Sequence, residues 1–292
     1  MKIGAALLSA VLGISFLACS DSVELDRAAA ASPRVSNAQP AATPDPKTKG
    51  KEEGVIWSGR SGNYEIVRTK DDLIARGVAD GKQVFSVKNS VADRVKNAYR
   101  DHFAEGKPTF EEITLGYTVV GAAGPYLFLK ETFAATPQTS TGEKFYAVDL
   151  SNGGGELALT KFAEKEKIFD ALMKNSDVAA TLSMRRATPK SLDELKNVFS
   201  AARAEGSNAG PLSGCSMPQD LMRSFVLKPT EDGSFKGILG ISCQSGMRDD
   251  ELRNIPLDLA LTDIAGVDVG QAQAFASALP KDADEVYVRY KP

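Results

Sequence analysis

From about residue 54 onward, apolar residues fall into short alternating runs punctuated by turn residues, with stretches of helical spacing between them. "YEIVRT" at 64–69 predicts a strand, and "LIARGVADGKQVFSVK" a hairpin turning at Asp80-Gly81. In "SVADRVKNAYRDHFAEG" the residues Val91, Val95, Tyr99 and Phe103 recur at intervals of four, between Ser90 as N-cap and Gly106 as stop. That spacing predicts a helix. Ile113, Leu115, Tyr117 and Val119 then alternate with Thr114, Gly116 and Thr118, as in a half-buried strand. The glycines at 121 and 124 are expected to turn it into a second strand.

"KFYAVDL" and "ELALTKF" predict two more strands around the glycine turn "SNGGG", followed by a helix at "AEKEKIFDALMKN". A further helix is predicted at "SLDELKNVFSAARAEG". Ser191 and Glu194 have the spacing of a capping box, and Leu192, Leu195, Phe199 and Ala202 form the apolar face. "SNAGPLSGCSMP" has the composition of a loop. "MRSFVLKPTEDGSFKGILGISC" predicts a hairpin turning at Glu231-Asp232-Gly233, with Leu239, Ile241 and Cys243 on one face. "IPLDLAL" reads as a strand, "VGQAQAFASAL" as a short helix and "EVYVRY" as a closing strand. Hairpin-joined strands with helices between groups of them define an α+β fold, mainly antiparallel sheet with about four helices. One domain over 54–292 is expected, with a division near residue 188 as the alternative.

The chain before that domain has a different character. Met1-Lys2 gives a short positive end, followed by an uncharged apolar run from Ile3 to Ala18. This order is that of a secretion signal over residues 1–18, and the run is short for a bilayer span, which needs about 20 residues. Residues 19–53 contain no aromatic residue and are dominated by Ala, Pro, Ser and charges. They bury too little apolar surface to offset ordering entropy, so they are expected to act as a disordered tether. Its reach as a loose coil is on the order of 30 Å.

Charge and cysteine content narrow the setting. The formal net charge of −3 comes with no basic stripe, so nucleic acid is not an expected partner. The chain has three cysteines. Cys19 stands at the end of the signal, which leaves Cys215 and Cys243 as the pair within the domain, and in an oxidising compartment such a pair points to a disulfide, with free thiols or a redox pair as alternatives. Chain entropy gives such a link about 3.5 kcal/mol.

Catalytic signals are sparse. His102 is the single histidine, at the edge of its helix's apolar face, which rules out a histidine-rich zinc site and points to a half-buried structural imidazole. "GISCQSG" fails the serine-hydrolase elbow because Gln244 takes the last glycine position, and "TGEK" at 141–144 only imitates an active-serine motif. "SNGGGE" lacks the G-K-[ST] ending of a phosphate loop. The acidic groups Asp249-Asp250-Glu251 and Asp282, Asp284, Glu285 lack calcium-loop spacing and read as solvated surface. No cofactor, metal ligand or catalytic residue is assigned. Paired carboxylates for glycoside cleavage, about 5–9 Å apart in space, leave no sequence signature.

Two resemblances add to this. "FLAC", with small Ala18 immediately before Cys19 at the end of a signal, resembles the lipobox of bacterial lipoproteins, although Phe16 and Leu17 stand where an aliphatic and a smaller residue are commonest. It implies cleavage before Cys19 and acylation there; two or three chains make attachment effectively permanent. Ser20 after the cysteine implies the outer membrane. The order of elements over 64–175, including "KFYAVDLSNGGGELALTKF", is similar to an extracytoplasmic domain of lysozyme-sensing anti-sigma factors and some peptidoglycan deacetylases. That family's Gly-Gly-Ala-His segment is replaced here by "FAATPQTSTGEKFY", and its aromatic-proline motif has no match, so no functional residue is carried over.

The expectation is a lipid-anchored protein on the periplasmic face of the outer membrane, or exposed on the cell surface, whose domain binds an envelope protein or peptidoglycan. A carboxylate-dependent cell-wall hydrolase and a structural or assembly lipoprotein are the alternatives. Replacing Cys19 with Ala should move the protein from the membrane to the soluble fraction and remove the acyl mass. A variant that still fractionates with membranes at unchanged mass overturns the anchor.

Overall fold

The computed structural model describes residues 54–90, 92, 112–136, 140–204, 210–217, 220–245, 249–262, 264–280 and 285–291. The signal, the tether, Cys19, His102 and nearly all of the predicted helix beginning at Ser90 lie outside them; residues 87–90 are helical. The described residues belong to one unit, Lys49–Pro292, and its larger sheet takes strands from both sides of residue 188. The fold is α+β with mainly antiparallel sheets.

The first layer is a meander of β1 (Val55–Ser61), β2 (Tyr64–Thr69), β3 (Leu73–Gly77) and β4 (Gln83–Ser86), hydrogen-bonded in that order. The second is a nine-stranded sheet built on β5 (Glu112–Ala123), β6 (Tyr126–Thr136) and β7 (Ser140–Asp149). The closing strand β13 (Val286–Tyr290) pairs antiparallel with β5. Beyond β7 come β12 (Asp249–Leu261), β11 (Phe235–Ser245) and β10 (Phe225–Pro229). β12 meets β7 in parallel at a single position, Asp249 opposite Thr141. Short β8 (Gly155–Glu156) and β9 (Cys215–Ser216) pair with β7 and β11.

Alternation along β6 and β7 divides the interior in two. Leu127, Leu129, Tyr146 and Val148 face the meander and join Ile66, Leu73, Ala75 and Phe85 in one core. Tyr126, Phe128 and Ala147 face the other way, into a core with β10–β12 and three helices: α1 (Lys165–Lys174), α2 (Ser176–Arg185) and α3 (Leu192–Ala204). Ring contacts run through this second core, Tyr126 to Phe162 at 5.0 Å, then Phe162 to Phe225 and Phe128 to Phe225, each at 6.0 Å. A fourth helix, α4 (Val269–Ala278), inserts Phe275 beside Trp57 in the meander core. Gly59 lies directly beneath that ring, where a Cβ would come within 2.8 Å of it.

Helix ends follow their capping residues. Asn175 accepts hydrogen bonds from the backbone N–H groups of Asp177 and Val178, starting α2 where α1 stops. Ser191 accepts from the Glu194 N–H at 3.2 Å, while the Glu194 carboxylate accepts from the Lys190 N–H at 2.7 Å. The capping box is thus present with its return bond displaced by one residue.

Two expectations are corrected and one helix is added. "ELALTKF" is not a strand: after the two-residue β8 the chain enters a 3-10 turn at Leu159–Lys161. Leu157 and Leu159 are both buried, so an apolar alternation that resembles a strand is satisfied by a turn instead. α2 was not expected; only Val178, Thr181 and Leu182 are buried in it, too sparse a face to read from sequence. Finally, Gly121 does not turn the chain, because β5 runs through it with a register shift between Val119 and Gly121.

The turn is made by Gly124, at φ 56°. Three chain segments converge there. Ser61 donates its hydroxyl to the Gly124 carbonyl at 3.0 Å, and a Cβ on Gly124 would lie 2.2 Å from the Gly266 carbonyl oxygen. Gly81, at φ 67°, has open space around it. Gly124→Ala should therefore cost about 2–3 kcal/mol of unfolding free energy and Gly81→Ala about 1 kcal/mol, measured by urea denaturation. Equal losses would show that backbone conformation alone sets the cost.

Candidate functional site

The meander ends in two turns that stand side by side. Gly62 occupies the first central position of the β1–β2 turn at φ 57°, which lets two residues close that hairpin. The Val78 N–H donates to the Asn63 carbonyl at 2.9 Å, tying this turn to the one after β3. Within the latter, the N–H groups of Gly77 and Gly81 donate to the carbonyls of Lys82 and Gly77, each at 2.9 Å.

Between the turns lies an open groove of about 460 Å³, lined by Arg60, Asn63, Tyr64, Val78, Asp80 and Val84 among others. Its shape follows from register. Tyr64 pairs across the strands with Gly77, so no side chain stands opposite the tyrosine. The Asp80 carboxylate occupies that space, with Oδ1 2.4 Å from where a Gly77 Cβ would be, and Oδ1 also accepts from the Lys82 N–H at 3.0 Å. Tyr64 and Val84 are half-buried and pack against the meander core. Val78 is exposed by 43%.

Two buried polar groups carry structural duties. On the inner face of β6, Glu131 accepts from the Tyr117 hydroxyl and lies 3.3 Å from the Lys144 ammonium. Asp149 caps the 3-10 turn Leu150–Asn152, accepting from the N–H and hydroxyl of Ser151 and from Lys161. Burial works to raise the Asp149 carboxyl, but the bonds from Lys161 and Ser151 outweigh it and hold the carboxyl below its usual range. Its partner Lys161 is raised, chiefly by the same bond. Glu112 is held low by a hydrogen bond from Lys291, and Asp232 by bonds from Thr230 and Ser234. Those directions keep the carboxylates charged rather than ready to donate a proton. The Arg185 guanidinium stacks 4.9 Å over the Phe199 ring, and burial lowers its pKa.

The sequence candidates scatter. Cys215 and Cys243 form a disulfide, as partners directly opposite each other across β9 and β11. Both are buried in the helix-side core. "TGEK" lies in β7, with Glu143 paired to Lys130 at 2.9 Å. Asp249, Asp250 and Glu251 fall in β12. Asp282 and Asp284 lie outside the described residues, and Glu285 accepts from Arg68 through its backbone carbonyl at 2.9 Å. Among the described residues no group of three or more His, Cys, Asp or Glu side chains is placed to hold a metal, and no helix is long and apolar enough to cross a membrane. Sequence reading gave no hint of the groove; the signal available was the Asn63-Tyr64 pair facing Gly77 and Asp80 in a meander, legible only once register is known.

Comparison of the chain with protein-family models, curated proteins and solved structures finds no match in any of the three.

The Asp149 pairing has a signed pH dependence. A carboxyl held low in the folded state binds fewer protons there than in the unfolded chain. Its stabilisation is therefore present above the unfolded pKa of about 3.9 and is lost as pH falls toward the folded value. Lys161, raised when folded, keeps its contribution until pH rises past its ordinary range. Asp149→Asn should be less stable than the parent at pH 7, with the gap closing as pH falls below about 4, followed by urea unfolding across pH. A gap independent of pH would mean that the carboxylate charge contributes nothing.

Proposed function

We propose that this chain is a lipid-anchored protein of the bacterial cell envelope whose folded domain binds a partner, an envelope protein or peptidoglycan, without catalysing a reaction on it. The anchor reading rests on the lipobox-like "FLAC" at residues 16–19 following a secretion-type segment. The Cys215–Cys243 disulfide supports the same compartment, since such bonds persist where the surroundings are oxidising.

The groove at the turn end of the meander carries the binding part of the proposal. It is concave, solvent-open and mixed in polarity, and the turns that wall it are held by backbone hydrogen bonds. Preformed concavities of this kind bind with little reorganisation.

The detergent-solubilised full-length protein should be retained by isolated peptidoglycan sacculi, or should cross-link to a defined envelope protein, and should release no soluble fragments from the sacculi. Failure of both kinds of retention removes the binding reading. Release of fragments, abolished by replacing a carboxylate, would establish the hydrolase in its place.

A further inference from the structure

We infer that the meander groove is a saccharide site, with Tyr64 as its apolar platform and Arg60, Asn63 and Asp80 as the groups that hold hydroxyls and amides. The inference rests on the binding reading above and narrows the partner to a glycan.

The chemistry of the lining leads to this class. A pyranose ring has one face of C–H groups and a rim of hydroxyls. It is held where an aromatic or aliphatic floor meets several polar side chains with unused hydrogen-bonding capacity. The floor here is Tyr64 with Val78 and Val84. On the flank facing its cross-strand neighbour Gly77, Tyr64 meets the Asp80 carboxylate rather than a side chain of that strand, which sets a polar group at the margin of the ring.

The rim has the capacity. Asp80 spends Oδ1 on the Lys82 N–H, and Oδ2 accepts from no described residue. Arg60 spends Nε on the Gly62 carbonyl at 3.2 Å, leaving the two terminal nitrogens to donate. The side-chain amide of Asn63 is exposed and makes no bond to a described residue, while its backbone carbonyl is fixed by Val78. A carboxylate accepting, a guanidinium donating and an amide doing both make a set complementary to neighbouring hydroxyls or to an N-acetyl group.

Charge and size narrow the choice. The groove carries one guanidinium and one carboxylate, so a strongly anionic ligand meets Asp80 and a cationic one meets Arg60. A neutral polyhydroxylated ligand meets neither penalty. The volume of about 460 Å³ lies within the range of small-molecule sites and suits one or two sugar rings.

Saturation-transfer NMR on the detergent-solubilised full-length protein, with tetra-N-acetylchitotetraose and cellotetraose as probes, tests this directly. At least one of the two should bind, with weak affinity and transfer strongest to ring C–H protons. Asp80→Asn, which keeps the Oδ1 acceptor of the turn, and Arg60→Ala change exposed rim positions and should each weaken that binding by about tenfold, with the thermal midpoint nearly unchanged. Tyr64→Ala should abolish binding, but it also touches the core, so the two rim variants decide. Absence of binding by both probes, or binding indifferent to both rim variants, overturns the saccharide site. If sacculi or an envelope protein are still retained in that case, the broader binding reading stands and only the glycan assignment falls.

Discussion

The structure depends on a central sheet buried on both faces. β6 and β7 send Tyr126, Phe128 and Ala147 one way and Leu127, Leu129, Tyr146 and Val148 the other, so each needs a covering layer on either side. The meander supplies one and the helices with β10–β12 supply the other. The meander buries its apolar face by closing the core over Leu127 and Leu129. The same demand explains the aromatic chain from Tyr126 through Phe162 and Phe225 to Phe128, which fills the space between the sheet and the elements on its far side.

Two buried carboxylates of this arrangement enter it with partners at hand. Asp149 closes the turn after β7, and Glu131 sits on β6 where Lys144, partly in solvent, can reach it. The covalent link performs the same kind of task on the opposite layer. Chain between Cys215 and Cys243 returns to the sheet as β10 and β11, and the bond fixes short β9 against β11, where two residues of pairing would hold poorly alone.

Much of this was legible in the sequence, and the misses share a cause. Alternating residues and turn glycines located β2 to β5, the β10–β11 hairpin and β13, because period and punctuation are local properties. Ser191 with Glu194 marked the start of α3, and cysteine count suggested the disulfide pair. "ELALTKF" misled because a buried Leu-x-Leu satisfies a turn as well as a strand, and α2 was overlooked because its identity rests on Asn175 as a cap rather than on an apolar stripe. The groove was invisible for a different reason. It exists only because Tyr64 meets Gly77 in register and Asp80 folds over the vacancy, a relation between residues more than ten positions apart that no local pattern encodes.

The turns that wall the groove are held by their main chain: the Val78 N–H on the Asn63 carbonyl, the Gly77 N–H on the Lys82 carbonyl, and glycines where φ is positive. Side chains at Asn63, Val78 and Ala79 therefore contribute little to whether the domain folds. Inheritance can alter them one at a time at small cost in stability, while the cores beneath remain under strict constraint. A scaffold so divided lets recognition drift among descendants faster than architecture does, and related chains would diverge first at these turns.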